Sequence, residues 1–343
     1  MKTICFFCQT NEPDVLERNE FYAVDIRILK ELGYKVVIST SFWKIPKADL
    51  YFVWWWTWAF APLVVAKFRR RPCVICGTFD HVLPDGTLQY FPNRPWIHRQ
   101  LIKLALRYAN TNIVCSEDQE EYLAANFNVS GLEYSPHVLN TDLYKPSNDA
   151  KKQYLLSICW LHNNNPHRKC IAELIEAFSK LQECYSDYKL FICGRKGSAF
   201  PSLQELTKNL RCQDKVEFLG PVSTEEKIEL LQHCELYLQP TRAEGFGVAI
   251  LEAMACGAPV ITSPVGPVPR IAGDAAVYVD GECPLDISKA AQRLLADSVT
   301  RASMGQKGRE RSLEFGYERR KSDFQRVLQN CFVSYKSQPA SQN

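Results

Sequence analysis

Short apolar runs alternate with longer segments whose apolar positions recur every three or four residues along the first 130 positions of the chain. The continuous runs at 3–8, 35–40, 50–53, 73–77 and 112–116 read as strands, because a strand buried on both faces shows no polar alternation. Between them, 20–32, 59–68, 95–108 and 118–126 carry helical spacing. Pro62 falls in the first turn of its helix, where a missing N–H is tolerated. This alternation predicts a doubly wound parallel sheet. A polar stretch at 146–152 interrupts it, and then it resumes, with strands at 154–159, 189–193, 216–219, 236–239, 259–262 and 276–279 and helices at 171–182, 202–210, 224–233 and 248–256. Helices continue from Pro284, the last one over 317–335, and the polar tail 336–343 reads as disordered. The predicted organisation is therefore α/β, with two Rossmann-like doubly wound domains, 1–147 and 148–316, facing a cleft. Gly194 and Leu219, at the carboxyl ends of their strands, are placed to line that cleft.

The segment from Leu236 to Gly257 carries the densest chemistry. A buried strand leads into a tight turn at Gly245, Phe246 and Gly247, and the helix that follows is stopped by Gly257 in the usual C-terminal position. Glu244 lies before that helix and Glu252 inside it, with seven residues between them. A rise of about 1.5 Å per residue puts the carboxylates on the order of 12 Å apart. Glycoside hydrolysis needs roughly 5 to 9.5 Å. The longer spacing suits two polar groups gripping opposite ends of one extended molecule, with free N–H groups and a positive dipole end between them for an anion. A sugar, a diphosphate and a ribose follow that order. Two glycines in an otherwise apolar segment point the same way, since each costs about 1 kcal/mol and marks close backbone approach.

Thr241-Arg242-Ala243-Glu244-Gly245-Phe246-Gly247 followed by Leu251-Glu252-Ala253-Met254 resembles the donor-site signature of retaining glycosyltransferases of family 4, which have the GT-B fold. The resemblance implies that Glu244 contacts the donor sugar and Glu252 the ribose, with Gly245 to Val248 at the diphosphate. It covers the second domain well and the first loosely. Arg168 and Lys169, opening the helix at 171–182, form a basic pair suited to a diphosphate. Lys169 matches the family's Lys; Cys170 replaces the Gly after it, and Trp160 stands where an Arg is expected, so Arg168 supplies that charge. The segment Pro136 to Pro146 keeps the frame of the family's interdomain segment with most of its residues changed. Asp80 and His81, after the strand at 73–77, resemble the acceptor-side His-Asp region with the order reversed. Two features depart from the family: Gln9 to Val15 replaces a glycine-rich loop, and Pro267 and Arg270 replace a Gly and a Glu near the donor site.

A length of 343 residues suits two domains, and 46% hydrophobic content suffices for two cores. The net charge of +3 gives no reason to expect nucleic acid. The fourteen cysteines fall mostly in apolar strands, where thiols pack as small hydrophobes, which predicts a reducing, cytoplasmic setting. Cys5 with Cys8, and Cys73 with Cys76, have metal-pair spacing, but residues three apart on a strand point to opposite faces, so no metal is expected. The N-terminal apolar run is too short for an export signal. Residues 50–66 are uncharged and meet Lys67, Arg69, Arg70 and Arg71, the lower limit of a membrane span. With Trp54, Trp55, Trp56 and Trp58 mid-run, the segment reads instead as strand plus helix, or as a peripheral contact with an anionic membrane at its inner face.

The chain has no Walker loop, no Asp-any-Asp metal motif and no dinucleotide fingerprint, since Ile250 stands where Gly or Ala is required. The resemblance implies a transferase, and these missing motifs give no reason to expect a metal or another cofactor in it. Its donor would be a nucleotide diphosphate sugar and its acceptor a hydroxyl of a glycan, a lipid-linked compound or a small molecule. As the resemblance implies, the acceptor attacks from the face the leaving phosphate departs. A nucleotide-sugar epimerase and a catalytically weakened binding subunit are the alternatives.

Overall fold

Six parallel strands form the first sheet, in the order β2-β1-β3-β4-β5-β6. A computed structural model describes residues 1–79 and 91–336, and Asp80 and His81 lie outside the described residues. The elements of this part are β1 (Thr3–Phe7), α1 (Val15–Arg18), α2 (Glu20–Glu31), β2 (Lys35–Ser39), β3 (Leu50–Trp54), α3 (Phe60–Phe68), β4 (Cys73–Gly77), α4 (Trp96–Tyr108), β5 (Thr111–Val114), α5 (Glu117–Asn126) and β6 (Leu132–Tyr134). The strands β3, β4 and β5 are buried at every position, and in β3 and β4 this burial appears as an unbroken apolar run. The sequence pattern did not show β6, whose three half-buried residues lack such a run.

The aromatic run at 54–58 is partly interior: Trp55 is half-buried and Trp58 is 39% exposed. Trp54 and Trp56 are buried, and their indole N–H groups donate to Asp25 Oδ2 at 3.1 Å and Asn112 Oδ1 at 2.8 Å. These two rings are core, in keeping with the reading of the segment as strand plus helix. Arg69 also turns inward, donating to the Pro46 carbonyl at 2.6 Å and the Tyr51 hydroxyl at 2.7 Å.

The second sheet has the order β12-β11-β10-β7-β8-β9, again all parallel. It is built from β7 (Lys152–Ile158), α6 (Asn165–Arg168), α7 (Ile171–Leu181), β8 (Lys189–Cys193), α8 (Phe200–Asn209), β9 (Val216–Gly220), α9 (Thr224–His233), β10 (Cys234–Gln239), α10 (Val248–Ala255), β11 (Val260–Thr262), α11 (Val268–Ala272), β12 (Ala276–Tyr278), α12 (Pro284–Ala296) and α13 (Ser298–Leu313). Ser223 and Glu226 cap α9 reciprocally. Gly257 ends α10 as expected: its N–H donates to the Met254 carbonyl and that of Ala258 to Ala253, both at 3.0 Å, with Gly257 at φ 70°.

Backbone contacts divide the described chain into one unit of 1–79, 91–138 and 315–336 and a second of 139–314. Residues 139–147, read from the sequence as the end of the first domain, therefore cluster with the second unit. Arg309 of α13 holds them there by donating to the carbonyls of Thr141 and Tyr144 at 3.1 and 2.8 Å. The last helix, α14 (Tyr317–Lys336), returns to the first unit. Its Arg320 is buried there, donating to Asp25 at 2.6 and 2.9 Å and to the carbonyls of Ser135 and Pro136 at 2.8 and 2.9 Å.

Candidate active site

In an open parallel sheet, ligands bind beyond the carboxyl ends of the strands where the strand order reverses. In the second sheet that point lies between β7 and β10, since the chain runs outward from β7 through β8 to β9 and then returns to the other side of β7. The loop after β7 carries Arg168 and Lys169; the loop after β10 carries Glu244. The topology thus brings together residues 75 apart in sequence.

Lys169 closes the one-turn helix α6, and Cys170 links it to α7 in the left-handed conformation, φ 48°. Such a backbone favours glycine, which accounts for the Gly that the resembling family has there. The buried Lys169 ammonium donates to Glu244 Oε2, and Arg168 Nη1 stands 3.6 Å from the same oxygen. Arg168 also ties the loops together, donating to the Ala243 carbonyl and to Asn165 Oδ1, both at 2.7 Å. The Glu244 side chain is only 11% exposed. Burial acts to raise its carboxyl, but Lys169 and then Arg168 outweigh burial and hold it below the ordinary carboxylate range. Lys169 is the converse: burial pushes its ammonium down, Glu244 restores only part of that, and Arg168 adds to the depression.

Gly247 caps α10 at φ 104°, a conformation that a side chain would strain, and so turns the chain from Glu244 into the helix. Phe246 is buried under the turn, while Gly245 and Val248 are half-buried. The first N–H groups of α10 therefore begin a few residues beyond a carboxylate and two cations. Glu252, one turn into α10, is buried and paired with Lys227 of α9 at 2.5 Å; the Lys227 ammonium also lies 5.2 Å from the centre of the Tyr144 ring. Both carboxylates singled out from the sequence are thus held by lysines, but by different ones.

The two strand-end residues have structural tasks. Gly194, at φ 144°, passes so close to the loop after β7 that a Cβ would lie 2.1 Å from the Cys159 carbonyl oxygen. Gly194→Ala is expected to lower stability by more than about 1 kcal/mol, read by urea unfolding. An unchanged midpoint would show that the loop yields freely. Leu219 is the extra residue of a bulge, because Ile192 pairs with Phe218 and Cys193 with Gly220.

Sequence reasoning missed several members of the site. Gln239, buried at the end of β10, accepts from the Tyr237 hydroxyl at 2.5 Å and donates to Glu244 Oε2 at 3.2 Å. A polar residue closing an apolar strand was the available signal. Arg242 spans Glu173 at 2.6 Å and Glu282 at 3.4 Å, and Lys227 comes from a helix whose spacing says nothing of Glu252. Trp160, in the position of the family's Arg, is 55% exposed. The metal-spaced cysteines Cys5, Cys8, Cys73 and Cys76 are free, buried thiols, and burial raises each of them.

Two six-stranded parallel sheets flanked by helices, with a cation-carboxylate cluster where the second sheet reverses, define the GT-B fold. Residues 148–311 match the family described as glycosyl transferases group 1. The chain is 32% identical over 142 residues to a D-inositol 3-phosphate glycosyltransferase of Corynebacterium diphtheriae, covering 40% of this chain and 32% of that protein. It is 28% identical over 268 residues to the O-antigen chain mannosyltransferase RfbU of Salmonella typhimurium, covering 76% and 65%. The matched regions thus span about a third to two thirds of these relatives. Among solved structures, sucrose-phosphate synthase from Thermosynechococcus elongatus superposes with a TM-score of 0.79 at 18% identity, covering 97% of this chain and all of that one. Anabaena HepE in complex with UDP and glucose gives 0.77 at 17% identity, covering 96% and 100%.

Proposed function

We propose that the chain is a glycosyltransferase that moves a sugar from a nucleotide diphosphate donor to an acceptor hydroxyl, with retention at the anomeric carbon and without a metal. The observation that carries this reading is the Lys169–Glu244–Arg168 cluster beside the start of α10. The chemical demand is to stabilise negative charge growing on the departing diphosphate. Lys169, Arg168 and the first N–H groups of α10 meet that demand from fixed positions. In the free protein Glu244 holds Lys169 in place; an incoming diphosphate would compete for the ammonium and release the carboxylate toward the sugar. Glu252 takes the ribose, with Lys227 orienting it. The solved HepE complexes with UDP and with UDP-glucose make UDP-glucose the first donor to try.

Donor turnover with a panel of nucleotide sugars and simple acceptors tests the proposal. Sugar transfer that depends on Lys169 supports it; inversion of the donor sugar without acceptor, or binding without turnover, opposes it. Protonation adds a second check. Only the charged Lys169 stabilises the leaving diphosphate, and burial has lowered its ammonium. As pH rises, kcat/KM, which reports the free enzyme, should fall along a limb centred below the ordinary lysine range of about 10.4. Lys169→Arg should abolish that limb, because a guanidinium stays charged. A limb unchanged by the substitution would assign it to another group.

A further inference from the structure

α3 and α4 lie on the same side of the first sheet. The chain steps from β3 to β4 to β5 in one direction, and right-handed crossovers put successive helices of such a series on one face. Their inner sides confirm it, since Leu63, Ala66, Ile102, Ala105 and Leu106 enter one core cluster. The outer sides are unlike those of an ordinary surface helix. On α4 the exposed positions Trp96, Ile97, Lys103, Leu104, Arg107 and Tyr108 recur at helical spacing and form a single stripe. On α3 they are Val64, Lys67 and Phe68, with Arg71 just beyond. Trp96 and Ile97 are 66% and 62% exposed, and Phe68 is 89% exposed.

Neither helix contains an acidic residue. From Leu50 to Ser116 the only ones in the sequence are Asp80 and Asp85, against eight Lys and Arg. Where a solvated helix interleaves Glu with Lys, these interleave Trp, Ile, Leu and Phe with Lys and Arg. Asp49 offsets Arg71 at 3.4 Å, and the next helix, α5, is acidic through Glu117, Asp118, Glu120 and Glu121, so the cationic face ends at α4.

We propose that the outward face of α3 and α4 docks on a bilayer containing anionic lipid. Aromatic and aliphatic side chains enter the headgroup boundary while the interleaved cations meet phosphate, the arrangement by which an interfacial helix lies on a membrane. Charge chooses this occupant over a second copy of the chain, since two such faces would bring cation against cation. Among the described residues no helix is long and apolar enough to cross a membrane, and the contact is a surface one. The inference does not depend on the transfer reaction.

Co-sedimentation of the full chain with vesicles tests it, using phosphatidylcholine alone or mixed with phosphatidylglycerol, at about 0.05 M and about 0.5 M salt. The chain should pellet with the mixed vesicles at low salt and be released at high salt. Lys103→Glu with Arg107→Glu should weaken partitioning at least tenfold, and Trp96→Ser with Phe68→Ser should do the same, with thermal unfolding unchanged because all four side chains face outward. An equal charge change at Lys180 and Lys289 of the second unit should leave binding intact. Absence of pelleting with mixed vesicles at low salt overturns the proposal. So does an equal loss from the remote pair, which would reduce the effect to net charge. A concentration-dependent dimer in sedimentation velocity, abolished by the α4 variants, would give the face to a second copy instead.

Discussion

Lys169→Ala should lower turnover by roughly 100- to 1,000-fold, the usual loss when one preorganised donor to a developing oxyanion is removed. The buried ammonium is already positioned by Glu244, so under the proposed mechanism its loss removes a donor held ready for the departing diphosphate. Arg168 is spent in part on the Ala243 carbonyl and Asn165. The substitution also leaves Glu244 ionised in a largely buried site with Arg168 at 3.6 Å as its remaining charged partner, so some stability will go with the activity. Lys169→Ala with Glu244→Gln separates the two effects: it should regain stability and stay inactive. A near-native rate of the single variant at saturating donor would remove Lys169 from the mechanism.

Arg320→Met should destabilise the first unit by about 3–5 kcal/mol, the range for removing one partner of a buried ion pair. The loss is expected to be large because Arg320 satisfies four groups at once: both Asp25 oxygens and the carbonyls of Ser135 and Pro136. Asp25 in turn accepts from the Trp54 indole, so the loss should appear in tryptophan fluorescence during urea unfolding. Replacing Asp25 with Leu as well should cost less than the sum of the single substitutions, since no charge is then stranded. A loss below about 1 kcal/mol in Arg320→Met would mean that α14 is not anchored by this contact.

Most of the architecture was legible because its strands are buried on both faces. Their apolar runs are long enough to stand out, and Gly257 and Ser223 mark helix ends by mechanisms that act within a few residues. Short or half-buried elements, such as β6 and α6, carry no such period. The divide near residue 138 was also hidden, because Arg309 attaches 139–147 to the second unit from 165 or more positions away. At the candidate site, local motifs single out Glu244, Glu252 and Lys169. Their partners are not marked in this way: Lys227 and Gln239 acquire meaning only when the sheet order brings α9 and β10 to the same end. The tryptophan run left two readings open for a related reason. Bulk and exposure look alike in sequence, and only hydrogen bonds from buried indoles to Asp25 and Asn112 separate Trp54 and Trp56 from the outward-facing Trp96.

Retaining transfer at the Lys169–Glu244 cluster is a proposal that proton NMR of the anomeric signals tests most directly. The chain would be incubated with UDP-glucose and related donors and an acceptor alcohol, and the new glycosidic signal followed from its first appearance. An α-linked product from the α-linked donor is expected, formed by the native chain and not by Lys169→Ala. A β-linked first product, or the same α-linked signal at the same rate from Lys169→Ala, would contradict it.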